Sequence, residues 1–324
     1  MLDKNMNKPV NLDLHDFYKS GWMTSDEINK FSPLFSTLKT DAQSKNYNNI
    51  DQLMANGSDR FRNLCLLYMI GFGDIKSFGY FLDIYTNYCD IRYDNDLFFR
   101  CAVASGAYGM ATILIEKGAD VCANGNYAIC TVSRNSYNYN YVFLQKLIDC
   151  GVDVNAKNGL PLTVAIKWNI TKNIILLIKN GADPTINDNH PICELCKHPA
   201  RYENTLALKC LLDNNADPNA QNGTPLKNCI RHKDWVEMLL NHGASVNYLN
   251  EYDLCNVIFS KNLHIAKLLQ SHGVDFGILN NKQCLEDENN LTEMENLVEL
   301  LGSIGVDFKS LALILMSALP KLSL

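Results

Sequence analysis

The sequence predicts an all-α solenoid, a row of helical hairpins in which each leans on the next. Three observations predict it. A Gly-x-Asp ending, or a close relative, recurs at Gly57-Ser58-Asp59, Gly118-Ala119-Asp120, Gly151-Val152-Asp153, Gly181-Ala182-Asp183, Asn215-Ala216-Asp217, Gly243-Ala244-Ser245, Gly273-Val274-Asp275 and Gly305-Val306-Asp307. Tyr88-Cys89-Asp90 fills the remaining gap weakly, and successive endings then fall 28 to 34 residues apart, the period of a stacked repeat. Between endings, apolar residues recur at helical spacing in runs of roughly eight to ten residues, short of the ~12–15 that an isolated helix needs in water.

The stretch Cys101–Asp120 shows the unit most clearly. Leu97, Cys101 and Ala104, with Phe98 and Ala102, put apolar groups on one helical stripe. Ser105-Gly106-Ala107-Tyr108-Gly109 interrupts it, and Met110, Ile113 and Leu114 begin a second helix. Gly118 stands where a helix end calls for positive φ. Asp120 can open a turn by bonding its own backbone.

From the N-terminus, residues 1–31 read as a loose tail and a capping segment, with a short helix over Leu12–Ser20 carrying Phe17 and Tyr18 and a helix start at Thr24-Ser25-Asp26-Glu27. Trp22 is expected to pack on the first repeat. The array proper is placed at 32–318, with Ser32 as an N-cap and Pro33 at the first helical position. The second unit, after Asp59, has almost no connecting finger. After Gly118, the tyrosines at 137, 139 and 141 are read as lengthening an inter-helix loop. The unit from His190 is too long by about four residues, and the one from Thr224 is short by two. A last unit from about Asn281, with Glu286-Asp287-Glu288 as a solvated loop, and a closing helix over Phe308–Leu319 complete the array, leaving 319–324 as a tail.

These units resemble those of the ankyrin-repeat family. Its unit runs Thr-Pro-Leu-His, two helices, then Leu-Leu-x-x-Gly-Ala-Asp-Val-Asn. The starts Leu160-Pro161-Leu162-Thr163, His190-Pro191-Ile192-Cys193 and Thr224-Pro225-Leu226-Lys227 match it, as do the endings Leu177–Asp183 and Leu239–Ser245. The resemblance covers about residues 32–318 and implies an all-α ankyrin-repeat solenoid of about nine helix-turn-helix units with short β-turn fingers. Thr163, Cys193 and Lys227 replace the family's His, so its Thr–His bond is missing at these starts and the fingers are expected to be less rigidly held. Asn155, Asn219 and Asn247 hold the position that asparagine hydroxylases modify in some members. The bias towards Asn, Lys, Ile and Tyr is similar to that of degenerate ankyrin arrays encoded by giant DNA viruses of protists, and equally to that of an AT-rich protist.

Composition narrows the function. The net charge of −6, without a basic stripe, speaks against nucleic acid. The longest apolar run, Leu311–Leu319, is too short to span a membrane. Twelve cysteines scattered at mostly apolar positions, with no apolar leader, fit an intracellular, cytoplasmic chain, with the nucleus left open. No nucleophile elbow, phosphate-cradling loop or paired His-Glu set stands in the sequence, so neither an enzyme nor a cofactor is expected. The resemblance implies a monomeric scaffold whose partner is another protein, held by finger tips and the concave inner-helix face. The candidate contacts are Asn124, Tyr127, Tyr137, Tyr139, Lys157, Trp168, Asn187, Asp188, Gln221, Tyr248, Tyr252 and Phe276. Trp235 is expected in the core. Two other readings stand beside this one. One is an adaptor for a ubiquitin ligase recruited through residues 1–31, although no F-box-like Leu-Pro start is evident. The other is a zinc site from Cys193 and Cys196 with His190 and His198, against a plain packing role one helical turn apart.

Overall fold

A computed structural model describes residues 24–44, 47–72, 75–134, 138–198, 202–259, 262–276 and 302–303. The tail, the helix over Leu12–Ser20, Trp22, Tyr137, the unit from Asn281 and the closing helix lie outside the described residues. Among those described there are sixteen α-helices and no strand. The chain divides into two units, Met1–Asn173 and Ile174–Leu324, with the boundary inside one helix.

Unit 1 holds α1 (Ser25–Ser44), α2 (Tyr47–Asn56), α3 (Asp59–Phe72), α4 (Ile75–Tyr85), α5 (Tyr93–Ala104), α6 (Tyr108–Glu116), α7 (Ala123–Val132), α8 (Asn138–Asp149) and α9 (Ala156–Lys167). α10 (Thr171–Lys179) carries the boundary. Unit 2 holds α11 (Ile186–Leu195), α12 (Tyr202–Asp213), α13 (Ala220–Cys229), α14 (Lys233–Asn241), α15 (Glu251–Phe259) and α16 (Leu263–Ser271). In unit 1 the hairpins α1–α2, α3–α4, α5–α6 and α7–α8 stack, first helix on first helix and second on second, and α9 packs on α7. Unit 2 repeats the arrangement: α11 packs on α13, and α12, α14 and α16 stack in turn. The sequence expectation of an all-α fold of stacked helical hairpins holds within each unit.

The core is built from the stripes read in the sequence. Phe78, Phe81, Leu82, Phe98, Ala102, Met110 and Leu114 are all buried. Trp235 is buried as expected, its indole Nε1–H donating to Thr205 Oγ1 at 2.9 Å. The second helices α6, α8, α10, α12, α14 and α16 end alike. The N–H groups of Ala119, Val152, Ala182, Ala216, Ala244 and Val274 donate to the carbonyls of Leu114, Leu147, Leu177, Leu211, Leu239 and Leu269. Such a five-residue return requires the residue before the donor to take positive φ, which Gly118 does at 96° and Asn215 at 71°.

Two local expectations are corrected. Ser32 is no N-cap, because α1 runs unbroken from Ser25 to Ser44 with Pro33 inside it. Its start does fall at the predicted Thr24-Ser25. The helix continues because Phe35 and Leu38 are buried on one face, where Phe35 meets Tyr68 at 4.9 Å, and this packing outweighs the hydrogen bond that proline removes. Tyr139 and Tyr141 lie in the first turn of α8 rather than in a loop. Phe143, Leu144 and Leu147 are buried there at helical spacing and extend the helix back past them.

Candidate partner-binding fingers

Five fingers begin at the aspartate that closes the preceding ending, whereas the one after Gly243 begins at Ser245. The carboxylates of Asp90, Asp120, Asp153, Asp183 and Asp217 accept the N–H two residues on, every one at 2.8 Å. Beside these, the carbonyls of Asp90, Asp120, Asp153 and Asp217 accept the N–H three residues on, so a β-turn opens the finger as the resemblance implies.

A left-handed turn comes next in each of the five. Asp94-Asn95-Asp96, Asn124-Gly125-Asn126, Lys157-Asn158-Gly159, Asn187-Asp188-Asn189 and Gln221-Asn222-Gly223 all have φ between 48° and 74°. Each triplet closes with the N–H of its third residue donating to the carbonyl four residues back, at 2.8 to 3.3 Å. A residue with a Cβ is strained there by roughly 1–2 kcal/mol, and Asn and Asp are the types that tolerate it best. Only Lys157 and Gln221 among these fifteen residues are not Asn, Asp or Gly.

The three positions divide in role. The first two are exposed in every triplet. The third turns inward: Asp96, Gly159 and Gly223 are buried, and Asn126 and Asn189 half-buried. Its side-chain oxygen then ties one finger to the next. In unit 1 the Asp120 N–H donates to Asp96 Oδ1 at 2.9 Å, and the Asp153 N–H to Asn126 Oδ1 at 3.2 Å. In unit 2 the Asp217 N–H donates to Asn189 Oδ1 at 2.8 Å. At Gly223 no side chain is available, and Asn219 serves instead: its Oδ1 accepts the Ser245 N–H at 2.7 Å and its Nδ2 donates to the Gly243 carbonyl at 2.9 Å. Tyr248 lies directly over Gly223, where an added Cβ would stand 2.5 Å from the tyrosine Cβ. Arg92 adds a charged link, reaching Asp96 at 3.6 Å and Asp120 at 3.2 Å.

Of the expected contacts, Asn124, Lys157, Asn187, Asp188 and Gln221 all occupy exposed first or second positions. Tyr127 lies just after its triplet and is half-buried. Tyr248 and Tyr252 are exposed in unit 2, Tyr252 by 73 %. Trp168 is 51 % exposed, but it sits at the far end of α9 from its finger, roughly 12 Å of helix away. Phe276 is only 2 % exposed and offers no contact surface. The finger at Asp94-Asn95-Asp96 escapes the sequence reading because Tyr88-Cys89-Asp90 lacks the glycine. A usable signal is nevertheless present: every triplet begins four residues after its aspartate.

The expected zinc ligands are dispersed. Cys193 and Cys196 are buried, His190 is half-buried and His198 exposed. Burial pushes the Cys193 thiol up to about 12 and the Cys196 thiol well above its ordinary value, whereas a zinc ligand must be a thiolate. Cys229 packs against Cys196, its Sγ 3.6 Å from the Cys196 carbonyl oxygen. Among the described residues no three of His, Cys, Asp and Glu gather as a metal site, and no helix is long and apolar enough to cross a membrane.

Comparison with known proteins bears on the array. The chain is 30 % identical over 178 residues to an ankyrin repeat protein of Acanthamoeba polyphaga mimivirus, covering 53 % of this chain and 54 % of that one. It is 24 % identical over 237 residues to a second from the same virus, covering 68 % and 64 %. A third is 29 % identical over 247 residues, covering 72 % and 76 %. The chain thus spans between about half and two thirds of the length of the first two. It matches no protein-family model.

Proposed function

We propose that this chain, an ankyrin-repeat protein similar to those of a giant virus, is a non-catalytic scaffold that binds another protein through its finger tips and the adjoining first helices of the hairpins. The division of labour within the triplets carries this reading. In three of the five triplets the third residue fastens the finger to its neighbour, Asn219 does so beside a fourth, and the first two positions stand in solvent on a backbone held by two successive turns. Preorganised groups lose little freedom on binding, which favours affinity. The side chains so presented are mostly amides and carboxylates, which can hydrogen-bond a partner's polar groups. The missing Thr–His bond is offset by the links between fingers.

The test replaces Asn124, Lys157, Asn187, Asp188 and Gln221 by glycine together. Glycine keeps the left-handed backbone and removes only the side chains. Proximity labelling in cells expressing either form should recover specific neighbours with the original chain and lose them with the variant, at unchanged helical circular dichroism. Identical neighbours from both would remove the fingers from the binding surface.

A further inference from the structure

A cleft of about 480 Å³ opens between α1, α2 and the start of α3. Its floor is apolar: Phe31, Leu34 and Leu53 are half-buried, and Phe61 stands 5.2 Å ring to ring from Phe31. Its rim carries the amides of Asn49, Gln52 and Asn56. Every later hairpin of unit 1 packs on the one before it, whereas among the described residues none precedes α1–α2. Repeat arrays need such terminal faces covered.

We propose that residues 12–22 of the same chain fill this cleft and cap the array. The reading is independent of the partner-binding one. The segment ends at the right place: Thr24 leads straight into α1, and Phe31 lies seven residues further, roughly 10 Å along the helix. Eleven residues can double back over that distance even when partly helical. The chemistry also fits. Leu14, Phe17 and Tyr18 stand at helical spacing, Leu12 precedes them, and Trp22 adds an indole. Aromatic bodies suit the floor, and the phenol and indole N–H suit an amide rim.

The experiment uses the full chain with p-benzoylphenylalanine in place of Phe17. Photolysis of the monomer at low concentration should give cross-links within one chain to α1, α2 or the start of α3, among them Leu34, Leu53 or Phe61. Cross-links only to a second copy, only to other surfaces, or none at all would overturn the proposal. In parallel, the F17A/Y18A chain should exchange the α2 amides about tenfold faster than the original, while α14 stays unchanged. Equal α2 exchange in both would overturn it as well.

Discussion

Asparagine does structural work at the residue scale here. Its abundance reads in the sequence as a compositional bias, yet seven of the fifteen left-handed finger residues are Asn. Asn189 serves twice, by tolerating φ of 54° and by accepting the Asp217 N–H. The two roles are separable. Asn189→Gly keeps the backbone and removes the acceptor, which should cost about 1 kcal/mol. Asn189→Val also forces a β-branched residue into the left-handed region, adding roughly 1–2 kcal/mol. Urea unfolding of the two variants checks this, and equal losses would mean that the turn carries no backbone strain. The sequence could not show the division because Asn, Asp and Gly signal any turn. The use of the third triplet position becomes visible only when two fingers stand side by side.

Six of the second helices, from α6 to α16, end by one device. The period is legible because the stop is local: a glycine, a small apolar residue and an aspartate satisfy the helix end and open the finger. Asn215 shows the tolerance of that rule, holding φ of 71° where the five other ends of this kind use glycine. Asn215→Gly should therefore stabilise α12 by a few tenths of a kcal/mol, and Gly243→Ala, at φ of 88°, should destabilise α14 by about 1 kcal/mol. Thermal melts of both variants check the opposite signs. The boundaries where sequence and structure part, at Ser32 and Tyr139, are those where a local start signal meets an apolar stripe already running. Proline and clustered tyrosines suggest a break, but burial of Phe35 or Phe143 decides.

For the molecule as a whole, stability rests on faces buried between hairpins. The cysteines report on it. The ten described are all free: Cys65, Cys193, Cys196 and Cys229 are buried, and Cys150 is exposed. A thiol reagent applied to the native protein should modify Cys150 first, while the four buried thiols react only as fast as the array opens. Peptide mapping over time, repeated in sub-denaturing urea, checks this. Immediate modification of Cys196 would mean that α11 and α13 are not packed as described. The apolar core is legible from spacing alone. The proposed binding surface is legible only in part, because position on a finger, not residue type, decides which side chains are offered. Lys157 and Asn187 are recognisable as finger residues, and the same reasoning selects Phe276 although it is buried.

The left-handed triplets also limit how such an array can diversify. A recognition site on ordinary loops can sample all twenty side chains. Here a newly introduced Ile, Val or Thr at an exposed tip would be selected against by its own backbone before any ligand was met. Variation is thereby channelled into a small alphabet of amides, carboxylates and glycine, with Lys157 and Gln221 as rare departures. Under the proposed binding role, preferences evolve less by exchanging letters at the tips than by changing how many fingers there are and which bulky neighbours, such as Tyr248 and Tyr252, flank them.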